Sequence, residues 1–215
     1  MAVIHHTTMQ PTKLELLASW LPTRDWYGGR EGGPAPAKAG GFRLDDPAGE
    51  VGIEFMVVTD GTEPGATAYL VPMTYRGAPL EGAEHALIGT SEHGVLGTRW
   101  IYDGAHDPVL VGELYALLRG KAVAQHQSVD DTVDPTVSVT APAGDAPDAE
   151  LVRVVDGADH TAVVLRADGA PEELTLRVRR VLRAADEDGS PDSGRVTAAW
   201  LLPDGSTARG SYVTV

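Results

Sequence analysis

The chain has 215 residues, 17 basic against 31 acidic side chains, a formal charge of −14, and no cysteine. That length can bury a sizeable core as one domain or two small ones. The absence of cysteine excludes disulfides, thiolate zinc sites, iron–sulfur clusters and cysteine nucleophiles. The acidic balance argues against a nucleic-acid partner, which would need a basic face.

Residues 1–6 carry no basic stretch followed by an apolar run, so they do not read as a secretory signal,. No apolar run approaches the roughly 18–20 residues that span a bilayer. The expectation is a soluble, cytoplasmic protein with no membrane partner. From Pro11 to Leu21 the residues Leu14, Leu17 and Leu21 share a helical face, with Thr12 as cap and Glu15 completing a capping box,. Tyr27 to Gly41 holds six Gly and two Pro in 15 residues and reads as a mobile loop,. Val51, Ile53, Phe55 and Val57 alternate with their neighbours, as a strand requires. Residues 66–75 and 97–102 are further strands. A second helix starts at Asp107, its cap, with Pro108 at the first position.

Residues 126–150 hold six acidic and no Lys or Arg residues. Such self-repulsion with little apolar content predicts a linker, with 136–140 as a short edge strand. Beyond it lie β runs at 151–155, 161–166, 174–182 and 196–202, the last turning at Pro203-Asp204-Gly205 into 207–215. Helices grouped early and strands spread throughout predict an α+β fold with antiparallel sheets. The domain division expected is 1–125, a linker at 126–150, and a small β-rich region at 151–215.

Long ordered strings carry a resemblance. Lys13-Leu-Glu-Leu-Leu-Ala-Ser-Trp-Leu-Pro22, Gly49-Glu-Val-Gly-Ile-Glu-Phe55, Tyr69 through Leu80, and above all Leu87 through Val109 resemble the N-terminal cap region of actinobacterial maltokinases. The resemblance covers residues 1 to about 125. It implies a helix packed on a curved antiparallel sheet, a cystatin-like cap standing before a kinase-like fold that phosphorylates maltose with ATP. A second stretch, Asp156 to Leu165 followed by Leu174 to Arg180, resembles a degenerate kinase N-lobe hairpin, with Arg177 where the family has its phosphate-contacting Lys. Kinase chemistry needs that Lys, an acidic base, and an Asn and an Asp on magnesium. This sequence contains no Asn at all and no Lys beyond Lys121. The maltokinase activity is therefore not carried over.

Several residues invite chemistry. His93, Asp103 and His106, with His85 and Asp107 nearby, are metal-ligand types, but their spacing matches no ligand motif. The simpler reading makes His93 a turn residue, Asp103 a partner of Arg99 or the start of a turn before Gly104, and Asp107 a cap. Ser91 beside Glu92 and His93 lacks the context of a nucleophile elbow. Asp45–Asp46 and Glu50–Glu54 are carboxylate pairs of the kind glycoside chemistry uses, and they read more simply as exposed turn or edge acids. Arg177, Arg179, Arg180 and Arg183 form a basic stripe, read as a solvated strand face or an anion site. Tyr75, Arg76, Arg99, Trp100 and Tyr102 combine the aromatic and guanidinium groups that dominate interaction surfaces.

The leading expectation is a non-catalytic, cap-like interaction or regulatory module of trehalose, maltose or α-glucan metabolism. It has no cofactor, its partner is a protein of that metabolism, and a sugar is a further candidate ligand. The alternatives are a small metal-dependent or glycan-acting enzyme using His93, Asp103 and His106, and a carbohydrate-binding module using Trp100 and Tyr102.

Overall fold

Thr12 opens the first helix through local chemistry. Its backbone N–H and its hydroxyl donate to Glu15 Oε2 at 2.7 and 2.8 Å, while Glu15 N–H donates back to Thr12 Oγ1, which satisfies donors that a helix start leaves orphaned. In the computed structural model, which describes residues 9–127, 132–142, 148–167, 172–184 and 194–215, this helix is α1, Lys13–Trp20. The second, α2, spans Pro108–Leu118 and starts on the Asp107 carboxylate, which accepts from Val109 N–H at 3.0 Å.

The remaining regular structure is strand. In chain order β1 is Met9–Gln10, β2 Pro36–Leu44, β3 Gly52–Asp60, β4 Ala68–Arg76, β5 Leu87–His93, β6 Gly97–Asp103, β7 Gln125–His126 and β8 Ser138–Thr140. They continue as β9 Ala149–Asp156, β10 His160–Ala167, β11 Glu173–Arg179, β12 Val181–Leu182, β13 Arg195–Leu201 and β14 Thr207–Thr214. All join one antiparallel sheet in the order β1-β5-β6-β4-β3-β2-β13-β14-β11-β10-β9, with β12 on β4, β7 on β2 and β8 on β13.

This corrects the expected α+β class. Of the described residues strand takes 48 % and helix 15 %, so the fold is mostly antiparallel β rather than a cystatin-like helix-on-sheet cap with a small β appendage. The physical reason lies largely in the Gly- and Pro-rich stretch read as a mobile loop. Its second half is β2, whose Gly40 and Gly41 take φ values of +149° and +126°. Gly40 stands opposite Trp200 of β13, where the early and late strands meet. A Cβ on Gly41 would lie 1.9 Å from the Phe55 carbonyl oxygen. Only glycine permits that approach with that backbone. The segment is a strand because its glycines allow a close, bulged junction.

The sheet buries both faces around β3. Phe42, Leu44, Ile53, Phe55, Val57 and Leu70 pack against Leu110 and Leu114 of α2. On the opposite face Met56, Val58, Val71, Met73 and Ile101 pack against Leu17 and Trp20 of α1. The α2-side core also takes in Leu165, Leu176, Trp200 and Tyr212. Since α2 contacts both β2 and β9, five steps apart in the sheet, the sheet curls around the helix. The 136–140 expectation corresponds to β8, which covers β13 from Arg195 to Thr197. Residues 1–8, 128–131 and 143–147, including the leader reading and much of the acidic linker, lie outside the described residues. Among the described residues no helix is long and apolar enough to cross a membrane.

Two glycine substitutions should separate these roles. Gly41→Ala is expected to cost more than about 3 kcal/mol. Gly112, on the exposed side of α2 with open space around it, should gain about 0.5–1 kcal/mol on conversion to Ala. Urea midpoints of the two variants against the parent measure both shifts.

Candidate functional site

A groove of about 430 Å³ opens where the β3–β4 end of the sheet meets the start of α1. Its floor is Glu54, which the alternation of β3 turns toward the α1 face. Register places Glu54 opposite Met73 and Gly52 opposite Tyr75, so Glu54 and Tyr75 are diagonal neighbours on that face. The Tyr75 hydroxyl donates to Glu54 Oε2. Lys13, the first residue of α1, reaches the same oxygen with Nζ at 2.6 Å, and Gln127 Nε2 donates to Oε1 at 2.6 Å. The Glu54 side chain is 5 % exposed. Burial alone would raise its carboxyl pKa, but the Lys13 charge and the three hydrogen bonds outweigh it and hold the pKa below the usual value,. Burial and the Glu54 charge push the Tyr75 phenol well up. The floor is therefore an ionised carboxylate under a neutral phenol.

The rim mixes charges. Arg43 donates to the His126 carbonyl and Gln125 Oε1 at 3.2 and 3.1 Å. Asp46 accepts from the N–H groups of Ala48, Glu50 and Val51, all within 3.0 Å, and so shapes its own turn. Arg99 donates to the Leu96 carbonyl at 2.6 Å, while its Nε is buried without a protein partner. The carboxylate pairs read as exposed acids thus include two buried members, Asp46 and Glu54.

The five residues expected to form one interaction surface are divided by the sheet. Tyr75 pairs with Ile101 and Arg76 with Trp100, so Tyr75 and Arg99 face α1, whereas Arg76, Trp100 and Tyr102 face the other way. Tyr102 is 2 % exposed and accepts from Leu80 N–H at 2.9 Å. Arg76 grips Asp107 through two hydrogen bonds of 2.7 Å. Trp100 packs against the small Ala83–Ala86–Tyr102 cluster.

The metal-ligand candidates are also separated. His93 lies at the β5–β6 turn, where Nδ1 accepts from Leu96 N–H at 3.1 Å. Asp103 ends the same hairpin at its far end, roughly 20 Å away at 3.3 Å per strand residue. His106 instead meets His85, with ring nitrogens 3.1 Å apart, and approaches Asp156 at 3.7 Å. Among the described residues no group of three or more His, Asp or Glu could hold a metal ion. Ser91 Oγ is turned away to the Pro11 carbonyl.

Asp103 starts the turn at Gly104, accepting from Ala105 N–H at 3.2 Å, and its charge partner is Arg180 rather than Arg99. Arg180, fully buried, donates through Nη2 to Asp103 Oδ2 at 2.6 Å and through Nε to Thr161 Oγ1 at 2.7 Å, and its Cζ lies 5.1 Å from the Trp26 ring centroid. Thr161 in turn donates to Asp156 at 2.6 Å. In the sequence Arg180 belongs to a basic stripe that reads as a solvated strand face or an anion site, whereas here it is fully buried. The available signal was the Arg179-Arg180 doublet, since adjacent residues of an extended chain cannot share a face.

Removing one partner of the buried pair leaves a charge uncompensated, so Asp103→Ala should cost about 3–5 kcal/mol, and Asp103→Leu combined with Arg180→Met should recover much of it. Glu54 and Asp156 titrate below their ordinary values of 4.5 and 3.8. For Asp156 the His106 ring nitrogen 3.7 Å away is the largest cause. A depressed folded-state pKa stabilises at pH above the unfolded value and loses that contribution as pH falls below it. Melting temperature should hold above about pH 5 and decline below about pH 4.5. Glu54→Gln should flatten that decline in scanning calorimetry.

Against known protein families, residues 20–107 match the model described as the maltokinase N-terminal cap domain. The match covers the stretch from the end of α1 through β2–β6 to the Asp107 cap, and within it lie Glu54, Tyr75 and Arg99 of the groove and Asp103 of the buried pair. Over that stretch, a little under half of the chain, the sequence is similar to the maltokinase N-terminal cap domain.

Proposed function

We propose that the chain is a non-catalytic cap-like module that acts by contact with a protein partner within trehalose, maltose or α-glucan metabolism. The family match links the chain to maltokinase and so to that metabolism. The observation that carries the non-catalytic reading is the use of the buried aspartates. Asp46 holds a turn, Asp60 accepts from Tyr27 and the Ala35 N–H, Asp103 pairs with Arg180, Asp107 pairs with Arg76 and caps α2, and Asp134 accepts from Thr136. Carboxylates engaged in holding turns and joining strands are unavailable to bind magnesium or to take a proton from a substrate hydroxyl. The contact surface proposed is the β5–β6 hairpin tip, where Val95 and Leu96 are 62 % and 45 % exposed beside Arg99 and Trp100.

Purified chain given ATP, magnesium and maltose should release no ADP above a protein-free control; sustained turnover would overturn the non-catalytic reading. A tagged chain should retain enzymes of trehalose, maltose or α-glucan metabolism above an untagged control and lose them on Val95→Asp with Leu96→Asp. Absence of every such enzyme removes the reading.

A further inference from the structure

Register brings two histidines together that the sequence holds 21 positions apart. Leu87 of β5 pairs with Tyr102 of β6, so the turn before β5 and the turn after β6 are neighbours. The first, Glu84–Ala86, carries His85, and the second, Gly104–His106, carries His106. Their rings meet edge to face, with centroids 4.8 Å apart and an interplanar angle of 85°. His85 Nε2 and His106 Nδ1 are 3.1 Å apart. His85 is exposed, whereas the His106 side chain is 11 % exposed, so the pair is anchored on one side and open to water on the other.

That spacing is also the one two nitrogens adopt on a single metal ion. Metal–nitrogen bonds of about 2.0–2.1 Å meeting at a right angle set the nitrogens about 2.9 Å apart, and at a tetrahedral angle about 3.4 Å. The observed distance falls between the two. Ligation by Nδ1 requires His106 to carry its proton on Nε2, and that nitrogen faces Asp156 Oδ2 at 3.7 Å. A carboxylate behind the far nitrogen of a ligating imidazole fixes the tautomer and raises its basicity. Asp156 is itself held in place, accepting from Thr161 Oγ1 at 2.6 Å with Arg180 Nη2 at 4.0 Å. The ligand type selects the ion. Imidazole nitrogen suits zinc and copper, while magnesium and calcium prefer oxygen.

We propose that His85 Nε2 and His106 Nδ1 together ligate one divalent ion of the zinc or copper class, with water in its remaining positions and Asp156 orienting His106. In the metal-free chain a proton between the rings takes the place of the ion. Two protein ligands are fewer than the three of catalytic zinc sites, so the ion is a clasp rather than a reaction centre. It ties the turn before β5 to the turn before α2, at the opposite end of the β5–β6 hairpin from Val95 and Leu96. The inference therefore stands apart from the partner reading, and either can fail without the other.

Calorimetric titration of the full chain with zinc(II) and copper(II) tests it, with magnesium as the control. His5 and His6 are a second pair of imidazoles in the sequence, so both are changed to Ala in every sample. One equivalent of zinc(II) or copper(II) should bind, and magnesium should not. His85→Gln and His106→Gln each keep a donor and an acceptor toward the facing ring but remove an imidazole ligand. Each should weaken binding by at least about tenfold, the loss that removing even an outer partner of a ligand causes. If one variant fails to fold, the other carries the test. No saturation by either ion, as for a hydrogen-bonded pair only, affinity indifferent to the folded variants, or equal binding of magnesium would overturn the proposal.

Discussion

The buried pair between Arg180 and Asp103 is the constraint around which the two ends of the chain are arranged. Arg180 sits at the corner where β11 gives way to β12. Its N–H donates to the Asp159 carbonyl at 2.8 Å, and its own carbonyl accepts from Leu70 N–H at 3.0 Å. From that corner β12 runs onto β4, with Val181 opposite Tyr69 and Leu182 opposite Ala68. The guanidinium therefore links the late hairpin through Thr161, the end of β6 through Asp103, and the loop after α1 through the Trp26 ring. A buried ion pair is a poor source of net stability, because desolvation consumes most of the Coulombic gain. What it enforces is geometry. An alternative docking of β12 would leave a full charge unpaired in a dry interior.

That requirement explains which parts of the fold were legible in the sequence. Both helices were, because capping is local: Thr12 and Glu15 are three residues apart, and Asp107 acts on Val109 two residues on. Most strands were legible from alternation. Strand β2 was not, since its glycines read as a loop until Trp200 and Phe55 stand beside them. The key polar residues were opaque for the same reason. Lys13 and Glu54 are 41 positions apart, and Asp103 and Arg180 are 77. Nothing in composition or periodicity pairs residues across such distances. The Tyr75–Tyr102 group shows a subtler limit: strand character was evident, but only the register of β4 on β6 assigns its members to opposite faces.

The groove and the family match do not coincide. Glu54, Tyr75 and Arg99 fall within residues 20–107, whereas Lys13 and Gln127, which supply two of the three donors to Glu54, fall outside. The carboxylate and phenol at the floor thus come from the cap-family stretch, and the groups that keep the carboxylate ionised come from α1 and from the residue after β7. A buried carboxylate lacking its cation would be driven toward its neutral form. The state of the floor is therefore a property of the assembled chain rather than of the matched segment.

The charge distribution points the same way. Of the three lysines in the sequence, Lys13 lies against Glu54, while Lys121 shares Asp148 with Arg119. The exposed Asp148 pairs contribute little, because water screens them and side-chain entropy opposes them. The Glu54 floor is shielded from solvent, so each hydrogen bond there is stronger and each orphaned donor costs more. The net charge of −14 by itself says little about fold or site,. The polar groups whose pairing matters most are those the fold has removed from water, and at this groove they are the Lys13, Tyr75 and Gln127 donors that meet on Glu54,.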